Sequence, residues 1–534
     1  VIANYWQYSP LRALTPPNNR RYHRTTAGRL AALLRHPRGL AVRWIGSETF
    51  WRTRLVFQRA LAGILLIAFL NVVHEFKPLL GERGLLPVPL FTKAVAFRES
   101  PSLFFFAPKD AAFTAAGWLG ILLSCLALAG VADRYRTWFS MLVWASLWVL
   151  YLSFVNVGQT FYAFGWESIL LEACFYAILL GSRGAAPQTV AVWLLRWLLF
   201  RVMFGAGLIK MRGDPCWRDL TCLDYHYETQ PMPNPLSWFF HWAPAWSHKS
   251  GVLFNHFAEL VVPFAYFMPQ PLSSIAGAVT ILFQALIFAG GNLSWLNALT
   301  MVLAVSTFDD RFLARILPVR APAARAPAPA HRAATAAVAV LVAILSIRPV
   351  RNMASRRQVM NTDYNPLHLA GTYGAFGSIT RPRYEVVVEG TDDAAPAPSA
   401  KWLAYEFKGK PGELSRMPPQ IAPYHLRLDW LMWFAAMPSY AEHPWFVHFM
   451  VKLLEGDRPT LSLLRTNPFP SRPPRYVRAL LYEYHFTNPA ERARTGQWWK
   501  RTLVGPYFPP VSLDTPGLRE LVEQQGWTEE AWSH

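Results

Sequence analysis

The chain has 534 residues, of which 53% are hydrophobic and only 16% charged. A soluble chain carries about 25% charge, and here the deficit is gathered into long uncharged runs, so an ordinary soluble enzyme and a disordered or fibrous chain are excluded. The net charge of +19 would point to nucleic acid in a soluble protein. Basic loops held against an anionic leaflet explain it better, and no nucleic-acid partner is expected.

Residues 1–54 contain ten Arg and one Glu, Glu48, and read as a basic segment kept on the cytoplasmic side. No cleavable signal peptide is expected there. Residues 137–166 contain no Asp, Glu, Lys or Arg, and neither do residues 260–308. Apolar runs above about 18 residues read as membrane spans. Nine are expected, at 57–75, 112–131, 138–157, 160–181, 189–209, 251–268, 272–290, 292–308 and 333–348. They make residues 55–348 a polytopic membrane domain. Nine passes put the 76–111 and 210–250 loops on the outer face and return the Arg-rich 309–332 segment to the cytoplasm. Residues 349–534 then lie outside.

The composition changes beyond Arg348. Tyr384–Glu389, Trp402–Phe407 and Tyr476–Phe486 read as strands, with 394–400 as a Pro- and Ala-rich loop. Leu426–Ala436 and Trp445–Leu454 read as helices. The expected fold class is a membrane all-α multi-span bundle followed by a soluble α+β domain with a small antiparallel sheet. Trp498 and Trp499 suit either a lipid headgroup layer or the domain core.

Cys216 and Cys222, five residues apart in the outer loop, are expected to form a disulfide on the oxidising side. The spacing is not the CxxC of a redox enzyme. Cys125 and Cys174 fall within spans as small buried residues.

Charged groups within spans are costly and worth naming. Glu167 and Glu172 lie in the fourth span and Arg196 and Arg201 in the fifth. Pairing of either Glu with either Arg would fix helix packing, or line a polar cavity for a substrate or lipid headgroup. His256 and Glu259 share a face of the sixth span, as a proton-moving pair or an ordinary interhelical contact. Lys210, at the exit of the fifth span, is a candidate base, or else an interfacial anchor or a partner for Asp214. There is no GxSxG elbow, P-loop, HExxH or dinucleotide fingerprint. No metal or cofactor is expected. The aromatic 210–250 loop, with Trp238 and Trp242, reads as a lid along the outer leaflet or a client-binding surface.

Several long runs carry a resemblance: Trp166-Glu-Ser-Ile-Leu-Leu-Glu172, Leu195 through Trp217 to Pro235, Pro423 through Ala436, Asn467-Pro-Phe, Pro473 through Arg478 and Gly496 through Arg501. Through them the chain resembles the lipase maturation factor family. The resemblance implies a multi-pass membrane protein whose outer domain engages secreted clients, lipases among them. It makes Arg427, Asp429, Trp430, Trp433 and Arg478 candidate client-binding residues, or else residues that hold the domain together. The spans also distantly resemble the transmembrane region of vitamin K-dependent carboxylases. The leading expectation is a maturation or chaperone-like factor without enzymatic activity, in contact with membrane lipids and a secreted client. The alternatives are a membrane enzyme using Lys210 on a lipid-like or quinone-like substrate, and a transporter. The expected location is a bacterial inner membrane with a periplasmic outer domain, or, in a eukaryote, the endoplasmic reticulum with a lumenal one.

Overall fold

The computed structural model describes residues 49–527 apart from 322, 323, 398 and 438. Most of the basic 1–54 segment therefore lies outside the described residues. Each of the nine apolar runs is helical. Six helices are long and apolar enough to cross a membrane: α1 (Trp51–Leu80), α2 (Asp110–Leu128), α3 (Thr137–Val157), α5 (Thr189–Arg212), α7 (Leu272–Gly290) and the continuous Pro329–Ala354 run that begins with α9 (Pro329–Leu345). The other three runs give α4 (Gly165–Ile178), α6 (Ala245–His256) and α8 (Leu296–Ala304).

Local chemistry shortens these three. The fourth begins only at Gly165, after the separate turn Gln159–Tyr162. The sixth continues from α6 as a π-helical turn, Phe257–Val261, and then a 3-10 segment, Val262–Phe267. Pro263 lies at the start of that 3-10 segment, where its missing N–H is tolerated. The chain 291–295 before α8 is not helical.

Interhelical contacts show that the nine segments alternate in direction. At one end, the start of α1 meets the residues after α8: the backbone N–H of Trp51 donates to Asp310 at 3.0 Å, and Thr53 Oγ1 to the Phe308 carbonyl at 2.7 Å. Arg59 reaches Asp133, between α2 and α3, at 2.8 Å. At the other end the bundle meets the C-terminal domain. Leu119 and Leu122 on α2 and Val340, Leu341 and Ile344 on α9 are exposed. An apolar surface of that kind fits lipid rather than water.

The C-terminal domain is built on a four-stranded antiparallel sheet in the order β2 (Leu403–Ala404), β1 (Arg383–Thr391), β3 (Tyr476–Phe486), β4 (Trp499–Val511). β1 and β3 pair along their length, with Val387 opposite Leu480 and Glu389 opposite Arg478. Helices α10 (Arg427–Ala435) and α11 (Pro444–Glu455) flank the sheet. β4 is an edge strand whose Pro506, Pro509 and Pro510 conceal it in sequence. An edge tolerates residues without an N–H. Trp499 is buried against Phe486, with ring centroids 4.1 Å apart, and Trp498 is buried beside Trp238. Both belong to the domain core. The Trp402–Phe407 strand is cut to two residues plus an isolated bridge between Glu406 and Thr466. The helix after α9 runs from Ile347 to Ala354, past the expected boundary at 349.

Candidate functional site at the domain junction

The charged groups within the spans sort into three centres. Glu172 on α4 accepts from both terminal guanidinium nitrogens, Nη1 and Nη2, of Arg201 on α5, and both side chains are buried. Tyr176 and Tyr373 donate to the same carboxylate at 2.5 and 2.8 Å. One expected Glu–Arg pairing is therefore present. The partner of Glu167 is instead Arg427 of the outer domain, 2.7 Å away and fully buried. Tyr151 donates to Glu167 as well. Arg196 points to the opposite end of the bundle and donates to the carbonyls of Ser306 and Tyr266 at 2.9 and 3.1 Å. It lies one helical turn and more from Arg201, on the stretch of α5 beside the 3-10 segment and the end of α8.

Lys210 forms the third centre. Its Nζ donates to Glu259 at 2.6 Å and Asn255 at 2.8 Å and sits 4.9 Å from the Trp217 ring centroid. The π-helical turn carries Glu259 to that position. Lys210 is thus not an exposed anchor, and Asp214 pairs with Arg381 at 2.5 Å instead. The hydrogen bond from Arg381 holds the Asp214 carboxyl below its usual range. His256 and Glu259 do not pair: His256 Nε2 faces the Trp217 carbonyl at 2.9 Å. Cys216 and Cys222 form a disulfide beside these residues, with Cα atoms 4.8 Å apart.

The predicted client-binding residues lie mostly inside the molecule. Arg427 places its Nε on Asn71 at 2.7 Å, its Nη1 on the Phe161 carbonyl at 2.8 Å and its backbone N–H on Glu75 at 3.0 Å. Its guanidinium stacks 3.5 Å from the Tyr162 ring centroid. Asp429 does not pair with Arg427; it accepts the N–H groups of Gly409 and Lys410 at 2.6 and 3.0 Å. Trp430 packs on Trp166 with centroids 4.9 Å apart, and Trp433 donates to the Thr229 carbonyl at 3.2 Å. These four residues tie the outer domain together and to the bundle. An exterior patch on Arg427, Asp429, Trp430 and Trp433 is ruled out by their burial. Arg478 stays half-buried, pairing across strands with Glu389 at 2.8 Å and covering the Trp402 ring. Trp238 and Trp242 both donate to the Thr487 carbonyl, at 2.8 and 3.1 Å, so the 210–250 loop is fastened under the sheet. Trp238 is buried, while Trp242 keeps an exposed face.

These centres surround a cavity of about 1320 Å³ in the half of the bundle nearest the outer domain. Lys210 and Glu259 line one wall, Met203 and Phe283 another, and Trp430 and Trp433 of α10 border it on the side of the outer domain.

Several contributors were not legible in sequence. Asn292, just before α8, accepts the N–H groups of Ile421 and Ala422, each at 2.8 Å, and donates to the Pro419 carbonyl. Glu385, Arg383 and Lys410 form a second buried charge cluster under the sheet. Ser168, Asp363 and His368 also meet on the cavity wall. In a nucleophilic triad, serine and acid occupy opposite nitrogens of the ring. Here both face Nδ1, at 3.2 and 2.7 Å, while Nε2 faces Asn156. That is a structural network. Among the described residues, His, Cys, Asp and Glu nowhere gather in threes so as to hold a metal ion.

The fold and site together define a multi-pass membrane protein whose soluble C-terminal domain is locked to its spans by a buried ion pair and the hydrogen bonds around it. Residues 52–315 match the lipase maturation factor transmembrane domain, and residues 369–509 match the lipase maturation factor C-terminal domain. The chain belongs to the lipase maturation factor family. It is 46% identical to lipase maturation factor 1 of Homo sapiens over 516 residues, covering 90% of this chain and 91% of that protein. Identity to the Bos taurus protein of that name is also 46%, over 90% and 92% of the two chains. Lipase maturation factor 2 of Homo sapiens is 29% identical, over 90% of this chain and 85% of its own. No solved structure matches the chain.

Proposed function

We propose that the protein is a non-enzymatic membrane maturation factor that assists folding or assembly of secreted proteins, lipases among them. The observation that carries this reading is the match of both family domains together with an outer domain clamped to the spans. Such a clamp presents one fixed face to a client. The buried candidates are replaced in this role by exposed aromatic groups of the 210–250 loop. Phe239, Trp242 and Trp246 are 50%, 43% and 70% exposed, on a loop fastened to the domain through Thr487. Aromatic side chains on a fixed backbone offer contact area at low entropic cost.

The charge pattern supports a cytoplasmic 309–332 segment and an outer domain on the exit side. On this reading the outer domain is periplasmic if the membrane is a bacterial inner membrane, and lumenal if it is an endoplasmic reticulum membrane. A cysteine introduced at Ser399 should react with an impermeant maleimide from the exit side only; reaction from the cytoplasmic side would reverse the topology.

The test of function is secretion from host cells lacking the gene. Re-expression of the chain should restore the specific activity of exported lipase, and a Phe239→Ser, Trp242→Ser, Trp246→Ser variant of normal abundance should not. An exported proteome unchanged in folding and abundance by the deletion would refute the reading. For the enzymatic alternative, Lys210 does line the cavity, but its Nζ is committed to Glu259 and Asn255. For the transporter alternative, the span residues that line the cavity come from the outer-domain half of the bundle, so the cavity does not run through to the other end.

A further inference from the structure

We infer that the outer-domain end of the last span holds the phosphate of an anionic phospholipid headgroup. The site is Arg348, Arg351, Arg356 and Arg357, at the opposite end of the bundle from the basic 309–332 segment. It is separate from the cavity and from the proposed client surface, and does not depend on the maturation role.

The sequence isolates these charges. The four arginines fall within ten residues, and no Asp or Glu occurs from Arg311 to Thr362. All four are exposed. Among the described residues, none of them forms an ion pair. Arg348 reaches only the Tyr364 carbonyl, at 3.5 Å, and that ring, 5.7 Å from its centroid. Other basic groups at this end are engaged: Arg212 donates to Gln358 and the Met353 carbonyl at 2.6 and 2.8 Å, and Arg381 pairs with Asp214.

The helix brings the charges to headgroup depth. Arg332 is the last inner charge of the Pro329–Ala354 run. Arg351 lies about 28 Å further along the helix at 1.5 Å per residue, and the hydrocarbon core is about 30 Å thick. Arg351 therefore stands where the headgroups of the opposite leaflet begin, and Arg348, one turn earlier, reaches the same layer by snorkelling. Val340, Ile344 and Ile347 are exposed and share one helix face with Arg351. An acyl chain fits along that apolar stripe with its phosphate at Arg351. Beyond the helix the chain turns back: Asn352 donates to the Val359 carbonyl at 2.8 Å and accepts its N–H at 2.9 Å. The turn so closed carries Arg356 and Arg357 beside the helix end.

Like charges held this close repel one another, and an anion among them relieves the repulsion. The planar guanidinium fork matches phosphate oxygens. A zwitterionic headgroup brings its own cation, so the cluster favours lipids of net negative charge. On the orientation proposed above, these arginines oppose the positive-inside rule, so orienting the chain does not explain them.

The experiment uses the full chain in a neutral detergent with a trace of phosphatidylglycerol carrying a diazirine on one acyl chain. After illumination, mass spectrometry should map the label to peptides covering 340–357. Excess unlabelled phosphatidylglycerol should remove it; phosphatidylcholine of the same chains, or inorganic phosphate, should not. An Arg348→Gln, Arg351→Gln, Arg356→Gln, Arg357→Gln variant should lose about tenfold or more of the labelling, since one arginine at an anionic surface is worth roughly fivefold. If that variant melts below the wild type, Arg356→Gln, Arg357→Gln decides, with an expected loss of about fivefold or more. An Arg311→Gln, Arg315→Gln, Arg320→Gln, Arg325→Gln variant removes the same charge from the other end and should keep the label on 340–357. Equal loss there would assign the effect to net charge and overturn the site, as would unchanged labelling in the first two variants. Equal competition by phosphatidylcholine would overturn the need for negative charge, and by inorganic phosphate the lipid. Failure to restore lipase with labelling intact would instead refute the proposed function alone.

Discussion

Glu167 of the membrane bundle and Arg427 of the outer domain form an ion pair of 2.7 Å in which neither side chain is exposed. Around it Asn71, Glu75 and the Phe161 carbonyl each take one donor of Arg427. The junction therefore depends on a charge from each side. Either charge alone would be buried without compensation, and that asymmetry makes the pair a lock.

The lock predicts a non-additive cycle. Arg427→Leu and Glu167→Gln should each destabilise the folded protein by about 3–5 kcal/mol, since each leaves one buried partner unmatched. The double variant should recover part of that loss. Thermal unfolding in nanodiscs measures the cycle, and proteolytic release of residues beyond Ala354 reports separation of the domains. Additive single losses would show that the two groups act independently.

A parallel argument separates the two readings of Lys210. Lys210→Ala leaves Glu259 buried and unpaired, and should cost about 3–5 kcal/mol. Loss of function in that variant alone therefore says nothing about catalysis. A Lys210→Met, Glu259→Gln double variant removes both charges and retains volume. It should fold and restore secreted lipase activity to near the wild-type level. A folded but wholly inactive double variant would favour the enzymatic reading.

The helices were legible because hydropathy needs no partner: each of the nine apolar runs contains a helix, six of them long and apolar enough to cross a membrane, and β1, β3, α10 and α11 match their predicted positions within two residues. Charge pairing was legible only where both members are near in sequence. Glu172 and Arg201 sit on consecutive helices, and a pairing of one of the two Glu residues with one of the two Arg residues there was expected. The pairing of Glu167 with Arg427 depends on how a distant domain docks, which no local pattern encodes. Two π-helical turns, Val72–Phe76 and Phe257–Val261, deliver Glu75 and Glu259 to their partners. A π turn shifts the register of a helix; the spacing of His256 and Glu259, read as regular helix, therefore gave the wrong neighbour. The runs that marked Arg427 and Trp430 as surfaces place both residues in the buried junction.

His425 gives the junction a pH dependence. Its ring lies among Phe164, Trp166, Trp295 and Trp430, faces Glu167 and is fully buried. Burial, aided by the charge of Arg427, pushes its pKa from 6.5 down to about 3. Above pH 6.5 the ring is neutral whether the chain is folded or not, and stability is unaffected. Between pH 6.5 and 3 only the unfolded chain binds the proton, so stability falls as pH falls. By pH 5 the loss should reach about 2 kcal/mol. Melting temperature in nanodiscs should drop between pH 7.5 and 5, and His425→Phe should flatten part of that drop. An unchanged slope in the variant would assign the dependence to other groups.

The Cys216–Cys222 bond links chemistry to topology. The bond closes the short loop 216–222, which follows α5 and contains Trp217, whose ring centroid lies 4.9 Å from Lys210 Nζ. A crosslink over so short a loop constrains the unfolded chain by about 2–3 kcal/mol. Cys216→Ser, Cys222→Ser should lower stability by that amount and loosen the Trp217 contact beneath the Lys210–Glu259 pair. The bond persists only in an oxidising compartment. In protein taken directly from cells into acid, thiol alkylation should therefore find Cys174 and Cys125 reduced and the outer pair oxidised. A fully reduced outer pair in freshly quenched cells would place the 210–250 loop on the cytoplasmic face, and with it the entire outer domain. The same measurement that checks one covalent bond thus fixes the orientation of all nine helical segments.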